Sequence, residues 1–144
     1  MKTSKSIFIL GFALAAAMPV ITTAPAIAQT VAVSAASQNQ AFFKKKYKIK
    51  GTWSLAQRDG QSFIVFSDDF KTKNGPDLKI FLSPKSTVDV NGKNAVEGSI
   101  NLGVLKSNKG AQEYAIPAGT DLSTFSTVLV HCEAYSILWG GGAL

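Results

Sequence analysis

The chain has 144 residues and a formal net charge of +6, with one cysteine, one histidine and two methionines. Both methionines, Met1 and Met18, fall in the amino-terminal stretch, so the rest of the chain offers His131 and Cys132 as its only strong soft-metal or nucleophilic groups. That inventory excludes a blue-copper site, a closed four-ligand zinc site, c-type haem attachment and a serine triad, each of which needs more histidines or cysteines.

The first element is an export leader. Lys2 and Lys5 form a basic start, Ile7 to Ala17 an apolar run, and Ala26-Ile27-Ala28 the small residues at which a signal peptidase cuts. Residues 1–28 are therefore expected to be removed, leaving a periplasmic or secreted protein. The apolar run is shorter than the roughly 20 residues of a spanning helix, and Pro19 and Pro25 interrupt the stretch after it, so no transmembrane segment is expected after cleavage. Residues 29–41, rich in Ala, Val, Ser, Thr and Gln, read as a flexible lead-in, and 42–144 as one domain.

Within that domain the apolar period is two. Phe43, Tyr47 and Ile49 alternate with Lys44, Lys46, Lys48 and Lys50, which predicts a strand with aromatics on one face and ammonium groups on the other. Lys45 breaks the alternation and suggests an edge or bulge. Further strands are expected over Thr52 to Arg58, Gln61 to Ser67, Leu78 to Leu82, Ser99 to Leu105, Gln112 to Ile116, Thr127 to Cys132 and Ala134 to Trp139. Turn signals separate them, of which Asp59-Gly60 is the strongest hairpin signature. The pattern predicts an all-β fold, an antiparallel sandwich or a barrel-like closure, with Phe66, Leu82, Leu102, Tyr114, Val128 and Val130 in the core.

Without the leader, 13 basic residues face 9 acidic ones, and five of the cations lie between Lys44 and Lys50. Such a strip either guards a sheet edge against pairing or binds an anionic envelope surface; export argues against nucleic acid as a partner. His131 and Cys132 are neighbours on one strand and point to opposite faces, so they neither share a metal nor form a hydrolase dyad. Val128, Val130, Cys132 and Ala134 share the core face by parity, where a thiol is protonated and inert. Gly75-Pro76-Asp77 reads as a tight turn, with Gly at positive φ and Asp capping backbone amides. Asp68, Asp69, Asp77 and Asp121 supply oxygens but lack the spacing of a calcium loop, so no metal is expected. Gln112 and Tyr114 share strand parity and form a candidate hydrogen-bonded core pair near Cys132.

The order of these motifs resembles the DM-thirteen domain, an extracytoplasmic β-domain family linked to electron transfer. The resemblance covers about residues 42–144 and rests on Asp69-Phe70, Gly75-Pro76-Asp77-Leu78, Gly110, Gln112, Tyr114, Ile116-Pro117 and the late Cys132. Trp139-Gly140 stands where the family commonly has a Phe-Gly-like segment. The resemblance implies a redox or electron-transfer-associated role through the single cysteine, with an unidentified redox or envelope partner and no cofactor of the chain's own. The alternative is a non-enzymatic binding or adhesion module. Its candidate contacts are Lys44, Lys46, Lys48, Lys50, Asp69, Asp77, Gln112 and Tyr114.

Overall fold

The computed structural model describes residues 38–144; the leader and most of the lead-in lie outside the described residues. Among the described residues, nine strands form two antiparallel sheets. They are β1 (Gln40–Ala41), β2 (Phe43–Lys44), β3 (Thr52–Arg58), β4 (Gln61–Phe66), β5 (Leu78–Ser83), β6 (Ile100–Val104), β7 (Gln112–Ala115), β8 (Thr127–Cys132) and β9 (Ile137–Ala143). One sheet has the order β1-β3-β4-β7 and the other β2-β9-β8-β5-β6. Neither sheet closes on itself, so the fold is a sandwich and the barrel-like alternative is set aside.

The expected hairpin is present. Arg58 pairs with Gln61 across Asp59 and Gly60, which have φ of 50° and 75°. Positive φ at both central residues matches the twist of the flanking strands. β1 falls within residues 29–41 of the expected lead-in. The chain then crosses from one sheet to the other at Phe42. Its ring packs edge-on against Phe66 and Phe70, with centroids 5.1 and 5.7 Å away.

Between the sheets lies the main core, which includes Trp53, Ile64, Phe66, Leu78, Ile80, Leu82, Tyr114, Val128, Val130 and Cys132. Leu102 is only partly buried, because β6 is the edge strand of its sheet. Phe81, Leu129 and Leu138 pack on the opposite face of β5, β8 and β9, under Val90 and Ala95 of the 84–98 loop. That loop is stitched internally: the Asn91 side chain accepts from the amides of Lys93 and Asn94, at 2.9 and 3.2 Å. At Gly92 a Cβ would stand 2.1 Å from the Ser136 carbonyl oxygen, so the loop seats its backbone directly against the start of β9. The five-stranded sheet is thus covered on both faces, which is why every residue of β8 is buried.

Two expected strands differ from the structure. The Lys44–Lys50 strand does not form: β2 ends at Lys44, and the chain bends at 45–47, where the amides of Lys45 and Tyr47 both donate to the Trp139 carbonyl, at 3.1 and 3.2 Å. The bend sends Phe43 to the outer cluster and Tyr47 and Ile49 to the main core, so these three do not share a face. The expectation of an edge at this point stands, since β2 is the outermost strand. Likewise, residues Glu133–Tyr135 form a 3-10 turn that leaves Ala134 exposed; β9 starts only after Ser136, at φ 49°.

Candidate functional site

Cys132 closes β8, opposite Leu78 of β5 and Ile137 of β9, and has no solvent exposure. Its partners in the core are apolar side chains. His131 projects to the other face as parity requires, and stacks edge-on on Phe81 with centroids 6.0 Å apart. Histidine and thiol therefore form no dyad.

The His131 ring is itself buried, and its Nδ1 has no hydrogen-bond partner. Desolvation holds its pKa below the ordinary 6.5, against the opposing pull of the Glu133 and Asp77 carboxylates. A depressed histidine pKa means that the unfolded chain takes up a proton that the folded one refuses. Stability is therefore complete above about pH 6.5 and falls as the pH drops from there towards the folded-state value. Urea titrations between about pH 7 and pH 5 are expected to show a smaller loss of stability for His131→Leu than for the wild type. Equal losses in the two proteins would remove this assignment.

The acidic candidates are dispersed. Asp69 accepts from the Ser67 hydroxyl at 2.6 Å, and that hydroxyl in turn accepts the Thr52 amide at 2.8 Å. Asp77 does not cap amides as expected; its carboxylate lies 3.3 Å from Lys79, which also pairs with Glu133. The hydrogen bond to Glu133, helped by Asp77, holds the Lys79 pKa above its ordinary value. Asp121 caps the short 3-10 turn Leu122–Thr124 through Ser123, and those bonds hold its carboxyl below the ordinary range. Among the described residues, no three His, Cys, Asp or Glu side chains come together as metal ligands.

Gly75 is explained by space rather than by positive φ, which it does not have. A Cβ there would press on Leu78 and on the Trp139 ring, both at 3.0 Å. A cleft of about 380 Å³ opens between this turn and the 104–108 stretch. The only ionisable residue lining it is Lys106, whose ammonium group already donates to the Glu113 carbonyl at 2.6 Å, so the cleft holds no acid–base pair.

Gln112 and Tyr114 form a hydrogen-bonded pair, though only Tyr114 is in the core and Gln112 is half-buried: the phenol donates to the Gln112 side-chain oxygen at 2.6 Å and accepts the Lys106 amide at 3.0 Å. Gln112 also bonds the backbone of Ser107 in both directions, at 2.8 and 3.1 Å. Burial raises the Tyr114 pKa, which keeps the phenol protonated for this task. Their role is to fasten the 106–110 loop to β7.

The lysines divide at the bend. Lys44 precedes it, and Lys45 and Lys46, within it, lie beside Asn91 and Ser136. Lys48 and Lys50 instead meet Lys71, Thr72 and Lys73 around a pocket of about 220 Å³. Lys50 and Lys71 exchange backbone hydrogen bonds of 2.9 and 3.2 Å, and a second bridge sets Lys109 on the other side of Lys71. Lys71, Thr72, Lys73 and Lys109 did not stand out in the sequence. The signal that could have found them is Lys71-Thr72-Lys73, which repeats the charged–inward–charged pattern of Lys48-Ile49-Lys50.

A family model described as Electron transfer DM13 matches residues 41–141. The chain belongs to this family. No curated protein and no solved structure gives a match. The DM13 match spans both sheets, from β1 into β9, and it takes in the Gly75–Leu78 turn, the Gln112–Tyr114 pair and Cys132. An electron-transfer-associated role follows for the domain in general. Among the described residues, no helix is long and apolar enough to cross a membrane.

Proposed function

We propose that this chain is an exported, non-enzymatic DM13 domain that serves an electron-transfer system by recognising an anionic partner in the cell envelope, with Cys132 as a packing residue. The observation that carries this reading is the burial of Cys132, at 0% exposure, among apolar side chains. A thiol in such surroundings keeps its proton and reacts slowly. Export to the periplasm or beyond the cell is supported by the leader-like pattern of residues 1–28. Recognition is supported by the lysines at the sandwich surface, none of which between Lys44 and Lys50 is in an ion pair among the described residues.

A second reading takes Cys132 as a redox thiol acting through a sulfenate or a mixed disulfide with a partner. Its place favours this, since Cys132 is the last residue of β8 and is followed by the exposed turn Glu133–Tyr135. The turn would have to lift for the sulfur to meet a partner. Intact mass of the protein recovered from its native compartment separates the two. The first reading expects a chain beginning at or within a few residues of Gln29 with an unmodified thiol. An oxygen or sulfur adduct on Cys132 would favour the second, and an intact Met1 in the exported fraction would remove the leader argument.

A further inference from the structure

The geometry points to a binding pocket, formed by Lys48, Lys50, Lys71 and Lys73, for a ligand that carries adjacent phosphate groups, either free or on a lipid headgroup. This inference rests on the recognition reading above and names the ligand chemistry of that surface.

The pocket is built from two extended segments laid antiparallel. The Lys50–Lys71 bridge joins them, and Lys48 and Lys73 line the same pocket beside it. Ile49 and Thr72 are buried, so the four flanking lysines project outward together. Lys109 extends the row. Its bridge to Lys71 is flanked by the bonds from the Gly110 amide to the Phe70 carbonyl and from the Thr72 amide to the Asn108 carbonyl, both 2.9 Å. That is the non-hydrogen-bonded kind of antiparallel pair, in which opposite side chains approach most closely.

Like charges set directly opposite one another on a sheet destabilise it. Here three lysines stand in one cross-strand row, and among the described residues none of the five cluster lysines is in an ion pair with a carboxylate. Arg58, Lys79 and Lys85, by contrast, each have a carboxylate partner. A row of like charges that costs the free fold is compensated by a bound anion. Two adjacent phosphate groups, at about −1.5 to −2 charges each, match four ammonium groups, whereas a single carboxylate matches one. Lysine ammonium groups act as compact point charges without the planar fork of arginine, which suits a phosphate cluster read by charge.

The test measures the thermal midpoint of the exported chain at low salt against inorganic pyrophosphate, and its co-sedimentation with phosphatidylcholine vesicles with and without cardiolipin, whose headgroup carries two phosphates. Pyrophosphate is expected to raise the wild-type midpoint by mass action. The triple variant Lys50→Gln, Lys71→Gln, Lys73→Gln is expected to bind about tenfold more weakly, as the loss of three exposed ion pairs implies. Without ligand that variant is expected to melt no lower than the wild type, since it relieves the lysine row. Lys85→Gln with Lys93→Gln, outside the pocket, should bind as the wild type does. Binding to the cardiolipin vesicles but not to pyrophosphate supports the pocket with a lipid source. Neither probe binding, or equal weakening by the two sets of substitutions, overturns the pocket. Rapid labelling of Cys132 in the native protein would overturn the proposed function without touching the pocket, so the two failures are distinguishable.

Discussion

Replacing Trp53 by alanine is expected to cost about 3–5 kcal/mol, the range for deleting a fully buried indole. Trp53 is 1% exposed and belongs to the main core. Its ring lies on the backbone of β9: a Cβ built on Gly142 would come within 1.8 Å of the indole nitrogen. Gly142→Ala should therefore destabilise by about 1–3 kcal/mol through overpacking. The two effects are coupled, because the alanine methyl fits the space that Trp53→Ala leaves. In urea unfolding, the double variant is expected to be no less stable than Trp53→Ala alone. Simple additivity would show that the two sites do not share that space.

Cys132→Ser is expected to cost about 1–3 kcal/mol, since it places a hydroxyl among apolar core side chains where the sulfur made no demand for a partner. Cys132→Ala should be tolerated better, because it adds no polar group. The ordering of Ala above Ser in stability is the signature of a packing cysteine. A serine variant as stable as the wild type would place position 132 in contact with water or with a polar partner.

Much of the sandwich was legible because period-two runs and turn chemistry are local properties. Asp59-Gly60 fixed the first hairpin, and the apolar runs located β4, β5 and β8 to within a residue or two. What escaped the sequence depends on distant chain. The bend after Lys44 is held by carbonyls of β9, nearly a whole domain away, and so a well-formed alternation of lysines and apolar residues did not become a strand. Parity correctly placed Cys132 in the core and His131 on the other face, but it could not show that the 84–98 loop would bury that second face too. Nor could it separate the strip into its parts. Lys48 and Lys50 meet Lys71 and Lys73 only because a bridge between Lys50 and Lys71 brings two segments into register, a pairing that no local pattern announces. Gly75 shows the same limit: a turn signal was present, but the need for glycine comes from the Trp139 ring.

The measurement that bears most directly on the account is the rate at which a thiol reagent labels Cys132 in the native protein at neutral pH, compared with the rate in denaturant. A packing cysteine, buried in the main core at the end of β8, is expected to react fully in denaturant and, in the native protein, only as fast as the domain opens. Complete labelling of the native protein as rapidly as the denatured chain would contradict this and make Cys132 an accessible redox thiol.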